Sequence, residues 1–235
     1  MKIKMAVLSA VIVLMSVISA QAEIRPQAGV ESYLGPNKFF SLTPWAGVRI
    51  NLTKKSSLLV KYYLHNLQYD YINDLGETVR RKARLNNFTT AVYAQKWGHD
   101  FYAAASLFSG TDDYSALALD IGTELRLIKR VAISGGLYYL NEDSILWYPE
   151  QESRRIAVYS VKGGFRYTLT DGLSVGPKFD FYKNSEQVNA SSLGVLLQFV
   201  PKDPVYIHFL YYRYTESAQY KFSGDFFSLG VNLYY

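Results

Sequence analysis

From about residue 25 to the C-terminus, apolar and polar side chains alternate with a period of two, interrupted by clusters of Gly, Pro, Asn, Asp and Lys. Successive side chains of an extended chain point to opposite sides, so this alternation predicts strands with one greasy and one wet face. In the last ten residues Phe227, Leu229, Val231, Leu233 and Tyr235 share one face, and Ser228, Gly230, Asn232 and Tyr234 share the other. The stretch 113–127 is as clean: Leu117, Leu119, Ile121, Leu125 and Leu127 oppose Ala116, Ala118, Asp120, Gly122, Glu124 and Arg126. Twelve such stretches are expected, at 25–34, 40–52, 57–69, 84–95, 99–108, 113–127, 131–140, 154–168, 173–183, 188–200, 205–215 and 226–235. Each is about long enough to cross a bilayer at a tilt. The fold class that follows is all-β, a transmembrane antiparallel up-and-down barrel of about twelve strands; merging one weak pair would give ten. Connections after the second, fourth, sixth, eighth and tenth strands are short, and those after the third, seventh and eleventh are long. Short turns belong to the periplasmic side of such barrels, and an even count leaves both termini there. The third connection is expected to turn at Asn73-Asp74-Leu75-Gly76 and to leave through Arg80-Arg81-Lys82; the longest, 141–153, carries Trp147, Tyr148 and Pro149.

Both ends of the chain bear on its compartment. Lys2 and Lys4, the apolar run Met5 to Ile18 and Ala20-Gln21-Ala22 have the layout of a secretory signal peptide, residues 1–22, cut before Glu23. The barrel would then be residues 23–235. At the other end, the amphipathic strand Phe227 to Tyr235, which ends on an aromatic residue, resembles the C-terminal segment of bacterial outer-membrane β-barrels. That resemblance implies recognition by the barrel-assembly machinery and closure against the first strand. Aromatics make up 16% of the chain and include 21 tyrosines, as interface girdles and an aromatic-lined lumen would require. The mean hydropathy of −0.05 argues against a bundle of membrane helices. Without cysteine there is no lipid anchor, disulfide framework or thiolate metal site. Removing Lys2 and Lys4 from the 25 basic residues leaves an excess of only three over the 20 acidic ones, which is not the balance of a nucleic-acid binder.

Charge on the lipid face near the midplane costs about 2–4 kcal/mol per Lys or Arg, so the strand charges belong inside. This assigns to the lumen Arg49, Lys61, Arg126, Lys162, Arg166 and Lys178, with Asp120, Glu124 and Asp180 as counter-charge and Tyr63, His65, Tyr206, His208 and Tyr212 among them; Arg25 and Glu31 face the same way. Twelve strands about 4.8 Å apart and tilted about 40° close at a diameter of about 24 Å, which side chains narrow or fill. A narrow channel with an anion-leaning lumen is one reading, since basic groups attract carboxylates or phosphates and tyrosine faces suit sugar rings. In length and strand number the chain resembles the small twelve-stranded porins for oligogalacturonate and sialic acid, and that resemblance implies passive transport of small anionic or sugar-like solutes. In the other reading the Arg/Lys and Asp/Glu pairs cross-link a filled, structural barrel or an export or polysaccharide-secretion component.

Catalysis finds little support in the motifs. Outer-membrane lipid hydrolases pair His with Ser at close spacing, whereas His65, His99 and His208 are followed by Asn66-Leu67, Asp100-Phe101 and Phe209-Leu210. Asp112-Asp113 is an acidic pair, but turn chemistry accounts for it. Neither a cofactor motif nor a metal cluster stands out. The expected partners are outer-membrane lipid, lipopolysaccharide and small solutes, around a monomer. Arg80, Arg81, Lys82 and Arg84 would face lipopolysaccharide phosphates or funnel anions, and Trp147-Tyr148 would either gate the mouth or fold back onto the barrel.

Overall fold

The computed structural model describes residues 22–73, 75–147, 153–217 and 222–235. The expected signal segment, Asp74, Tyr148 and Pro149 therefore lie outside the described residues. Twelve strands follow one another: β1 Glu23–Leu34, β2 Phe40–Thr53, β3 Ser56–Ile72, β4 Thr78–Lys96, β5 His99–Gly110, β6 Ser115–Ile128, β7 Val131–Asp143, β8 Arg155–Thr170, β9 Leu173–Asn184, β10 Asn189–Lys202, β11 Val205–Glu216 and β12 Gly224–Tyr234. Each pairs antiparallel with the next, and β12 returns to β1 to close the barrel. Closure runs through the C-terminal segment, with Ala28 opposite Leu233, Val30 opposite Val231 and Ser32 opposite Leu229. It leaves no unpaired edge, which an open sheet in lipid could not satisfy.

At one end all five connections are two-residue turns, at 54–55, 97–98, 129–130, 171–172 and 203–204. Trp97 and Gly98 both have positive φ in the second of these, the conformation that a tight hairpin of matching twist requires. The other end carries the longer connections, among them 144–154 between β7 and β8 and 217–223 between β11 and β12.

One expectation needs correction. Residues 70–83 were expected as loop, yet β3 and β4 run on as a ladder to the Ile72–Thr78 pair. Alternation marks a strand only where one face meets lipid; past the apolar belt both faces can be polar and the signal fades while the backbone pairing continues. Asp70 and Arg80 face each other across this hairpin, joined at 2.8 Å, and Lys38 reaches the same carboxylate at 3.0 Å.

The outer surface is the inverse of a soluble protein's. Leu119, Ile121, Leu137, Val161, Phe181 and Leu193 stand exposed on it, the last at 65%. Small and polar residues such as Gln27, Thr43, Asn87, Ser160, Ser228 and Asn232 are buried inside. A continuous apolar exterior around a polar interior fits a barrel solvated by hydrocarbon.

Candidate functional site

Three layers fill the lumen from the short-turn end upward, each built from inward-facing positions of the same strands. The lowest is a chamber of about 1180 Å³, lined among others by Arg49, Tyr93, Glu124, Lys162, Arg166 and Lys178. Here the charges sit in register across strands. Lys162 on β8 reaches Asp120 on β6 at 2.6 Å, and Tyr102 donates to the same carboxylate at 3.1 Å. Arg166 forms a two-point ion pair with Glu124. At the mouth Arg126 meets Asp100 at 2.8 Å, and Arg25 meets Glu23 at 2.9 Å.

Arg49, Lys61 and Lys178 differ from these: among the described residues none has a carboxylate within ion-pair distance. Arg49 lies over the ring of Tyr93 at 5.2 Å, and Lys61 over that of Trp45 at 3.7 Å. Such cation–π contacts hold a cation in place without neutralising it. Asp180 accepts from Ser192 at 3.2 Å and Glu31 from Tyr33 at 3.0 Å, so hydroxyls rather than cations satisfy these two acids.

The middle layer is a waist. Among the described residues none lines both the lower chamber and the upper one described next. Trp45 donates from Nε1 to Asn232 at 3.0 Å, and Asn232 in turn faces His208 Nδ1 at 3.3 Å. Tyr63 stacks on His65 at 5.8 Å with planes 15° apart, while Tyr206 hydrogen-bonds Gln198. At the waist and just below it, large inward side chains stand directly across from inward glycines: Trp45 from Gly29, Lys61 from Gly47, Tyr102 from Gly122, Lys162 from Gly136 and His208 from Gly230. The glycines give room for the opposite side chain. A Cβ at Gly230 would lie 2.1 Å from the His208 ring, and one at Gly122 2.6 Å from that of Tyr102.

The upper layer, toward the long-loop end, is apolar. Leu67, Tyr69, Leu85, Tyr114, Ala116 and Leu146 are buried together, with Phe39, Phe108, Trp147 and Phe222 packed against them. Tyr69 is fully buried and touches Trp147 and Phe222 at centroid distances of 6.0 and 5.2 Å. Tyr212, on the opposite wall, stacks flat on Phe226 at 5.0 Å.

The β7–β8 connection folds into this mouth. Asp143 caps its single 3-10 turn, Ser144–Leu146, by accepting from the Ile145 amide. Three side chains hold the turn from the barrel wall. The Tyr69 hydroxyl donates to the Leu146 carbonyl, and Arg81 to the Ile145 carbonyl at 3.2 Å. Glu142 accepts from Trp147 Nε1 at 3.1 Å and from the Tyr114 hydroxyl at 2.8 Å. Trp147 thus lines the lumen, neither an interface aromatic laid on the barrel's outside nor free of it.

The residues assigned to the lumen from sequence do not lie together as one set. Arg49, Asp120, Glu124, Arg126, Lys162, Arg166, Lys178 and Asp180 gather toward the short turns, while Lys61, Tyr63, Tyr206 and His208 stand at the waist. His65 and Tyr212 line the upper chamber. The basic run Arg80 to Arg84 is split by its own alternation. Arg81 turns inward to Asp112 at 2.6 Å, while Arg80, Lys82 and Arg84 stay exposed on the outer face.

One pairing was not visible along the sequence: Thr43 Oγ1 lies 3.1 Å from His65 Nδ1, with Ser41 behind it at 3.3 Å. Thr43 is 1% exposed, so no substrate reaches its hydroxyl; the contact orients the imidazole. Among the described residues no acidic and histidine side chains cluster as a metal site.

No protein-family model matches the chain. No curated protein matches it by sequence. Solved structures do match. An outer membrane channel from Pseudomonas putida F1 superposes with a TM-score of 0.66 at 12% identity, over 90% of this chain and 95% of that one. The KdgM porin gives 0.59 at 10% identity, over 88% and 98%. The translocator domain of the autotransporter NalP from Neisseria meningitidis gives 0.57 at 10%, over 99% and 95%. At these identities the likeness is one of fold, shared by channels and by an autotransporter alike.

Proposed function

We propose that this barrel sits in a bacterial outer membrane, its short turns toward the periplasm, and lets small, anionic or sugar-like solutes diffuse passively through its lumen. The observation that carries the reading is the trio Arg49, Lys61 and Lys178. Among the described residues they point into the lumen without a carboxylate at ion-pair distance, whereas in the lower chamber Asp120 and Glu124 are occupied by Lys162 and Arg166 and Asp180 accepts from Ser192. Unneutralised cations in a narrow, low-dielectric passage raise the local concentration of anions. A KdgM structure is described as a complex with disordered oligogalacturonate, an anionic sugar chain, in a barrel of this fold. The apolar exterior and the closing segment Phe227–Tyr235 support the membrane placement and insertion by barrel-assembly machinery. Lys82 and Arg84, exposed above the apolar belt, suit lipopolysaccharide phosphates.

The test is conductance of the refolded barrel in a planar bilayer under a salt gradient. Steady conductance with anion preference is expected, and replacing Arg49, Lys61 and Lys178 together by Gln should move the reversal potential toward cation preference. Unchanged selectivity in that variant would overturn the trio's role. A silent barrel would overturn the channel and favour the second reading, a filled structural or secretion component, which the waist between the two chambers also suits.

A further inference from the structure

The upper chamber has a composition that anion transport does not explain. It holds about 840 Å³, and among the described residues no Lys or Arg lines it. Its walls are largely aromatic and aliphatic; of the acids that line it, which include Glu216, Glu142 is buried and already accepts from Tyr114 and Trp147. Among the described residues several polar groups on its wall remain uncommitted, His65 Nε2 among them. The hydroxyls of Tyr138 and Tyr212 line the chamber and have no hydrogen-bond partner among the described residues. An apolar cavity of several hundred Å³ with a few convergent polar atoms is the usual make-up of a small-molecule site.

We propose that the upper chamber binds a compact, uncharged ring compound, aromatic or alicyclic, that carries a hydroxyl or carbonyl. The ring faces of Trp147, Phe222 and Tyr212, the last stacked flat on Phe226, supply offset and edge contacts to such a ring. The free Tyr138 and Tyr212 hydroxyls supply one or two hydrogen bonds. A carboxylate would meet no Lys or Arg among the described lining residues, but would meet the acids Glu142 and Glu216, so it is selected against. A free sugar would bring more hydroxyls than the chamber has partners for, and each unpaired one would lose its water. The inference goes beyond the channel reading and stands whether or not the barrel conducts.

The test uses the barrel chain, residues 23–235, refolded into phosphatidylcholine nanodiscs, with empty nanodiscs as reference and 2-naphthol, 2-naphthoate and n-decanol as probes in equilibrium dialysis. Saturable binding of 2-naphthol at one site per barrel is expected, with 2-naphthoate at least ten-fold weaker. Leu140→Trp, which fills the chamber from its wall, should weaken 2-naphthol ten-fold or more. Tyr138→Phe with Tyr212→Phe, which leaves the walls in place, should weaken it several-fold and keeps the question decidable if the bulky variant does not fold. Binding of 2-naphthoate equal to that of 2-naphthol would overturn the proposal. So would n-decanol binding as tightly as the ring, which would make the chamber a lipid-chain site, or 2-naphthol uptake no greater than in empty discs. Conductance is read separately, so a silent barrel that binds 2-naphthol refutes only the channel, and a conducting barrel that does not bind it refutes only this site.

Discussion

The lower and upper halves of the lumen are made by the same strands and differ in almost every property. β3 contributes Ser57 below and Tyr69 above; β6 contributes Asp120 and Glu124 below and Ala116 above. Below, opposite charges meet at cross-strand distances in a chamber large enough for water, so their pairing is local and solvated. Above, two long connections send Leu146, Trp147 and Phe222 inward, and the wall positions facing them are apolar. A barrel interior is therefore not one environment. A charged inward position stays hydrated where only two-residue turns close the end, whereas one beneath an inward-folded loop loses its water and must be paired or apolar.

The largest effect that would break this contrast is loss of Tyr69. It is fully buried, packs on Trp147 and Phe222 and holds the Leu146 carbonyl. Tyr69→Ala should cost about 3–5 kcal/mol, the range for removing a large aromatic from a packed core. Unfolding by urea in lipid vesicles, followed by fluorescence, checks this; a cost below about 1 kcal/mol would mean that the upper half is not a packed core. Glu142→Ala comes next. It leaves the Tyr114 hydroxyl and the Trp147 indole nitrogen without their acceptor, at about 1–3 kcal/mol. Trp147 should then move to a wetter site, seen as a red shift in emission after Trp45 and Trp97 are replaced by Phe. An unshifted spectrum would show that packing alone holds the turn.

How much of this was legible in the sequence follows from what alternation encodes. Period two gives the facing of each side chain, so the twelve strands, the outward Leu117-Leu119-Ile121 ridge and the inward Asp120 and Glu124 could be read off directly. It does not give height, and the inward set that looked like one lining divides between chambers. Tyr69 shares the parity of Lys61, Tyr63 and His65, but a search for charge passes over it. Trp147 and Phe222 lie in connections, where no periodicity says which way a side chain turns. Register was equally hidden: that Gly47 faces Lys61 and Gly230 faces His208 depends on turn lengths and bulges such as the one between Asn51 and Thr53. Nor could the ladder of β3 and β4 beyond the lipid belt be seen, because there its outward face carries Asp70, Arg80 and Lys82 instead of apolar residues.

The smallest expected effect on stability is also the sharpest probe of the difference. Lys162→Met deletes an ion pair whose two side chains are each 27% exposed in the wet lower chamber. Pairs with that much access to water are worth at most about 1 kcal/mol, and Asp120 keeps its hydrogen bond from Tyr102. The unfolding midpoint should therefore hardly move. The charge of Asp120, however, is no longer cancelled, and a free carboxylate facing the passage attracts cations. Reversal potential should shift toward cation preference while stability stays within about 1 kcal/mol of the parent. Glu142→Ala, at the other end of the same lumen, should do the opposite: a clear loss of stability from a group that contributes nothing to ion selectivity. If Lys162→Met instead destabilised the barrel by several kcal/mol, the lower chamber would be as poorly hydrated as the upper, and the division of the lumen into a charged, hydrated half and an apolar half would fall.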